Sequence, residues 1–274
     1  METFKDFFSA WGFLTVLGGS KEIRSGARRW WWLVGVFLGS CVGAIYYFVG
    51  SYFGTLIGAA LGLGVGALIT GFLHFDGLID CADGLIPPME RSKRLEVMKD
   101  PRAGAFGVIA LVFVVLIQFA AVSTLPHCLL VILLFGGIFT VSRTLMSLIM
   151  TSFRNVSEAS IANHFVGDKS GKDENNTVEI GRKGNGRFLP FEITGLIVGL
   201  VLLGIGNYLM MRHYGASTSL LALHMVFTFF MVLIGGLGVA LLSKRKLGGY
   251  SGDVLGAIGV IGETFGLVAS CLKW

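Results

Sequence analysis

Seven stretches of the chain stay apolar over roughly the 20 residues that a membrane-crossing helix needs. They cover residues 30–50, 53–73, 105–124, 128–150, 190–211, 219–242 and 254–272. The pattern predicts an all-α, polytopic integral membrane helix bundle with about seven transmembrane helices. Ahead of the first run, FKDFFSAWGFLTVLGG is aromatic and aliphatic but short for a crossing, which predicts an interfacial or partly inserted helix. The run WWWLVGVFLGSCVGAIYYFVG is too long for a signal peptide, so the amino terminus is expected to be retained. In LIGAALGLGVGAL, small residues at helical spacing predict close helix packing. Residues 166–188 are polar and rich in Gly, Asn and Lys and read as a flexible cytoplasmic loop. Without an internal repeat or a linker between two cores, the chain reads as one domain over residues 1–274.

Composition agrees, because 54% hydrophobic and only 14% charged residues exclude an ordinary soluble globule. Charge then sets an orientation. Of 22 Lys and Arg, 19 fall in residues 1–29, 74–104, 151–189 and 243–253, and only Arg212 and Lys273 fall on the other side, with Arg143 inside a span. Basic residues accumulate on the cytoplasmic side of short loops. The amino terminus and the long loops are therefore expected in the cytoplasm, and the carboxyl terminus outside. This bias also accounts for the net charge of +5 without a nucleic-acid partner. The four cysteines lack metal or disulfide spacing and read as packing residues.

The chemistry concentrates in FLHFDGLIDCADGL, residues 72–85. On a helix, Asp76, Asp80 and Asp83 stand at i, i+4 and i+7, within about 60° of one another. Three carboxylates so placed repel unless a cation neutralises them, and an all-oxygen donor set suits a hard ion. Magnesium is the expected occupant. His74 reads equally as a base, a ligand, a phosphate contact or an interfacial polar residue. Further on, MERSKRLEVMKDPRAGAFG alternates Arg91, Lys93, Arg94, Lys99 and Arg102 with Glu90, Glu96 and Asp100, as a phosphate-binding surface would. A charged cytoplasmic loop accounts for Arg91 to Arg94 as well. Arg143 is expected to face the bundle interior. The turn in KRKLGGYSGDVLGA, with Gly249, Gly252 and Asp253, could offer backbone amides to phosphate oxygens or be a plain connection. Glu192 reads as an interfacial residue at a helix start.

At these positions the chain resembles the cobalamin synthase family, the membrane-bound adenosylcobinamide-GDP ribazoletransferases. HFDGLIDCADGL from His74 is similar to the family's H-hydrophobic-DGLADTADG signature, and RLEVMKDPRAGAFGVIAL from Arg94 to its RLEIMKDSRxGTFGxxAL stretch. VSRTLM around Arg143 resembles its SR segment, and KRKLGGYSGDVLGA from Lys244 its K-x-LGGxTGDxLGA. Val16 stands where the family usually has an arginine, and Pro101 replaces a common serine.

The resemblance implies a magnesium-dependent transferase of a prokaryotic inner membrane, with its active site facing the cytoplasm. It would join adenosylcobinamide-GDP to α-ribazole, or to α-ribazole 5′-phosphate, and release GMP. It implies Asp76, Asp80 and Asp83 as metal ligands, and His74, Lys99, Asp100 and Arg102 as the catalytic set. Arg94, Glu96, Arg143, Gly249, Gly252 and Asp253 would bind substrate. The lipid bilayer is the other expected partner, and a homo-oligomer is left open. An intramembrane prenyltransferase would want a second DxxxD pair, and a CDP-alcohol phosphotransferase needs a DxxDGxxAR opening that is absent here. A cation transporter would carry acids deep in several spans, whereas most acids here lie in loops.

Overall fold

The computed structural model describes residues 2–156 apart from 21 and 23, residues 189–213 and residues 218–272. The expected loop at 166–188 lies outside the described residues. Ten α-helices follow in order: α1 (Glu2–Leu14), α2 (Trp31–Phe53), α3 (Thr55–Ile69), α4 (Leu73–Leu85), α5 (Arg91–Val97), α6 (Ala105–Thr124), α7 (Val131–Ser152), α8 (Leu189–His213), α9 (Thr218–Leu247) and α10 (Gly252–Ala269). A short 3-10 turn, Ala27–Trp30, leads into α2. Among the described residues, six helices are long and apolar enough to cross a membrane, and a seventh crossing arises if α3 and α4 count as one.

That seventh unit corrects the predicted continuous span over 53–73. The chain stops at Ile69, turns through Gly71 and Phe72 at φ of 58° and 60°, and resumes as α4 at 87° to α3. Fifteen residues of α3 reach only about 22 Å, short of a hydrocarbon core of roughly 30 Å. A non-glycine residue in the left-handed region is uncommon, and Phe72 is held there by a hydrogen bond from its N–H to the Ala67 carbonyl at 2.9 Å.

The central helix is α7, buried along most of its length from Val131 to Met150. It packs against α2, α8, α9 and α10. Between helices in lipid, close backbone contact replaces the hydrophobic effect as the source of cohesion. Gly35, Gly39 and Gly43 of α2, each one turn apart, lie against Phe139, Phe135 and Ile132 of α7. Gly58 and Gly62 of α3 lie in turn against Tyr46 and Val42 of α2. The outer surface is apolar instead: Ile109, Phe113 and Leu116 of α6 are exposed, as are Leu56 of α3 and Ile197 of α8.

These contacts give an internally controlled prediction. A Cβ at Gly35 would lie 2.7 Å from the Phe139 carbonyl oxygen and 2.9 Å from the Thr140 Cα, whereas one at Gly64 meets nothing within 4 Å. Gly35→Ala is expected to cost about 1–3 kcal/mol through overpacking and to lower the thermal midpoint of the detergent-solubilised protein. Gly64→Ala leaves the midpoint unchanged or raises it slightly, through a better helix propensity of about 1 kcal/mol. Equal midpoints for the two variants would remove the case for backbone contact between α2 and α7.

Candidate active site

The turn at Gly71–Phe72 carries α4 against the amino-terminal half of α10. The approach is very close, since a Cβ on Gly77 would sit 2.5 Å from the Asp253 carbonyl oxygen and 3.0 Å from its Cα. A Cβ on Gly256, one turn further along α10, would sit 3.2 Å from the His74 Cα. The contact sets Asp253 beside the acidic face of α4. Asp80 is half-buried there, within electrostatic range of Asp253, Asp76 and Asp83. Asp253 is within range of Asp76 as well. None of these four carboxylates forms an ion pair with a basic side chain among the described residues.

The four acids divide by what they touch. Asp83 is buried, and its two oxygens accept the backbone N–H groups of Gly104 at 2.7 Å and Gly107 at 2.9 Å. It satisfies two of the donors left open at the amino terminus of α6 and places a negative charge at that helix's positive end. Asp76 is exposed, and Asp253 accepts only the Ser251 hydroxyl, at 3.3 Å. Asp83 of the expected trio is thus engaged with backbone, while Asp76, Asp80 and Asp253, from two helices, accept no backbone N–H among the described residues and form an acidic face. Among the described residues, no three acidic, histidine or cysteine side chains close around one point to form a complete cage. Cys81, one position from Asp80, is a free thiol at 4% exposure.

Position separates His74 from this face. It lies two residues before Asp76, about 160° around the helix, and is buried at 3% exposure inside the bundle. Arg143 faces the bundle interior, as expected for an intramembrane charge. Its Nη1 donates to the Glu263 carboxylate of α10 and, at 3.0 Å, to the Ser142 hydroxyl. Its guanidinium also lies 5.5 Å from the Phe139 ring centre.

The basic segment after α4 plays two parts. Arg94 is buried and donates from Nη1 to the carbonyls of Gly84 at 2.7 Å, Leu85 at 3.3 Å and Pro87 at 3.0 Å. Lys246 of α9 donates to the same Leu85 carbonyl. Both side chains therefore occupy orphan acceptors at the carboxyl end of α4, where positive charge is favourable. Glu96 is exposed and paired with Lys93 at 3.1 Å. Lys99 is exposed. Arg102 grips Asp100 with its Nε at 2.9 Å and Nη2 at 2.7 Å, and this hydrogen bonding holds the Asp100 carboxyl down to about 2.

The Gly249–Asp253 turn is fixed from outside the helices. Asn155 and Tyr250 form a parallel bridge, with the Tyr250 N–H donating to the Arg154 carbonyl at 2.8 Å and the Val156 N–H to the Tyr250 carbonyl at 2.9 Å. Gly249 is buried and its carbonyl accepts the Ser243 hydroxyl at 2.6 Å, while Gly252 is exposed at the start of α10. Ser251 caps that helix by accepting the Val254 N–H at 3.3 Å. Glu192 departs from its reading as an interfacial residue. It is 2% exposed, accepts the Ser147 hydroxyl at 2.7 Å and lies within electrostatic range of the buried Arg28. Its partner comes from a helix 45 positions away, which local sequence does not reveal.

Fold and site together define a polytopic helical membrane protein with a carboxylate-rich face to which Asp76, Asp80 and Asp253 contribute from two helices. A profile of the cobalamin-5-phosphate synthase family matches residues 6–271, and the chain belongs to that family. An adenosylcobinamide-GDP ribazoletransferase of Klebsiella pneumoniae (strain 342) is 31% identical over 97% of this chain and 98% of its own length. The protein of the same name from Escherichia coli O17:K52:H18 is 31% identical over 86% of this chain and 84% of its own length. No solved structure matches.

The aspartates are expected to separate in stability measurements. Asp83→Ala removes the two contacts to the start of α6 and is expected to cost about 0.5–2 kcal/mol, seen as a lower thermal midpoint. Asp76→Ala and Asp80→Ala remove one of several mutually repelling charges and are expected to leave the midpoint unchanged or raise it. A fall for Asp80→Ala as large as for Asp83→Ala would contradict this division.

Proposed function

We infer that this chain is a membrane-embedded transferase that joins the phosphocobinamide part of adenosylcobinamide-GDP to α-ribazole or its 5′-phosphate, closing the nucleotide loop of cobalamin. The 5′ oxygen of the ribazole bonds to the corrinoid-side phosphorus, the bond from that phosphorus to the GMP oxygen breaks, and GMP leaves. The observation that carries the reading, beside family membership, is the set of carboxylates Asp76, Asp80 and Asp253 left without basic partners on one open face.

That donor set fits magnesium. This ion commonly takes one or two protein carboxylates and completes its shell with water and substrate phosphates, so an open face is the suitable form and a closed cage is not required. Bound by Asp80 with Asp76 or Asp253, the ion would neutralise pyrophosphate charge and help GMP to leave. The residues of the chain supply the rest. Asp83 keeps α4 joined to α6, while Arg94 and Lys246 hold its far end. Lys99 and Arg102 are exposed on the segment that leads to Gly104, whose N–H binds Asp83, and suit the guanosine-side phosphate. The proton of the attacking hydroxyl passes to a carboxylate of the acidic face, because His74 is buried on the opposite side of α4.

The cytoplasmic orientation we propose is supported by the basic side chains gathered at this end of the bundle. Arg94 and Lys246 contact the end of α4, and Arg91 lies against Gly248. The positive-inside bias puts this end in the cytoplasm, with the helices in the inner membrane.

Purified protein incubated with adenosylcobinamide-GDP and α-ribazole is expected to release GMP and form adenosylcobalamin in magnesium and to stop in EDTA. Asp80→Ala is expected to lower kcat/KM by at least about 100-fold, while Asp80→Glu retains part of the activity. Mass spectrometry reads both products. Turnover in EDTA, or full activity of Asp80→Ala, would defeat the metal-site reading.

A further inference from the structure

The rear of α4 carries a second polar assembly, set among the helices of the bundle. His74 is 3% exposed, and neither of its ring nitrogens has a hydrogen-bond partner among the described residues. It lines a cavity of about 30 Å³ with Thr70, Gln118, Arg143 and Glu263, beneath the turn between α3 and α4. Arg143 and Glu263 are 1% and 6% exposed and bonded to each other, and the Arg143 Nε has no partner either. Gln118 donates to the Thr264 hydroxyl at 2.9 Å. The same cavity is therefore bounded by an imidazole with two open sites, a guanidinium nitrogen and a carboxylate. A volume of that size exceeds the roughly 10–15 Å³ that one water requires, and the wall offers the two to four polar partners that hold a buried water in place.

We propose that this cavity is a hydration site in which one or two bound waters join His74 to the Arg143–Glu263 pair, and that this bridge fixes the angle at which α4 presents its aspartates. His74, Arg143 and Glu263 are then positioning residues. The linkage is direct, because Glu263 and Asp253 lie on the same helix, and α10 touches α4 at both ends of the contact. A Cβ on Gly256 or on Gly259 would lie 3.2 Å from His74, and Gly77 lies against Asp253. The wall opposite is α3, the short half of the broken span, so the bridge braces the 87° turn from within. A leucine of similar size at position 74 would suit the apolar packing better than an imidazole with two open nitrogens. What leucine cannot do is bind the water.

The positional part of the inference stands without the transferase reading, whereas its effect on turnover rests on that reading. The experiment therefore reads both in His74→Leu and His74→Gln: amide hydrogen exchange across residues 70–85 with thermal midpoint, and kcat and KM for adenosylcobinamide-GDP. His74→Leu is expected to keep or raise the midpoint, to speed exchange in α4 severalfold, and to lower kcat about tenfold with KM changed less than about threefold. His74→Gln, which still bonds to water, is expected to restore wild-type exchange and most of kcat. Wild-type exchange in His74→Leu would overturn the proposal, whatever its turnover. So would unchanged exchange with kcat lost equally in both variants, which would assign His74 a direct chemical part. If His74→Leu does not fold, accelerated exchange in a folded His74→Gln overturns the proposal and wild-type exchange upholds it. Absence of turnover in the wild type would refute the transferase reading alone, and exchange would still decide the other.

Discussion

A row of carboxylates cannot continue along a helix through hydrocarbon, and much of this structure answers that constraint. The chain enters as α3, breaks after 15 residues and turns through 87° before the first aspartate appears. Every contact made by α4 then serves to hold an acidic, turned helix in a fixed place. Asp83 binds the start of α6, Arg94 and Lys246 cover the far carbonyls, and Gly77 lets α10 come within backbone distance. Asp253 arrives by that last contact. The site is a product of how the break is braced, and not of the DGLID motif alone.

The sequence showed the all-helical membrane class plainly, because apolar runs and a lopsided distribution of basic residues are long-range averages that survive local exceptions. It also showed that Asp76, Asp80 and Asp83 share a face, since that follows from helical period. It could not show the break between α3 and α4. Gly71 alone is a weak signal, and Phe72 in the left-handed region has no sequence signature. Nor could spacing reveal that Asp83 has both oxygens engaged by Gly104 and Gly107, more than 20 residues away. Arg143 was recognisable as a buried charge, but its partner Glu263, 120 positions later, depends on tertiary packing. The basic segment has a structural part that spacing does not reveal. Its Arg94 gives Nη1 to three carbonyls at the end of α4.

Two kinds of cohesion divide the bundle. Around α7, glycines admit backbone to backbone and the packing is apolar, as expected where helices associate in lipid. Around α4, glycine contacts at Gly77 and Gly256 are joined by polar, directional ones, the Asp83 cap and the carbonyls held by Arg94 and Lys246, with the Arg143–Glu263 pair joining α7 to α10 nearby. A buried ion pair contributes specificity of arrangement more reliably than net stability. The apolar part therefore supplies the frame, and the polar part determines one relative placement of α4 and α10 within it.

Cys81 adds a temporal dimension to this arrangement. Its thiol is free and 4% exposed, whereas Cys41, Cys128 and Cys271 are each partly accessible. On α4 it stands one turn beyond Gly77, on the side that faces α10. An alkylating reagent reaches it only when the packing around α4 parts. The rate of its modification in the native chain is thus a clock for local opening, a process that spans microseconds to seconds in proteins. If large substrates enter by that parting, their presence changes the alkylation rate at one position and leaves the other three thiols as references.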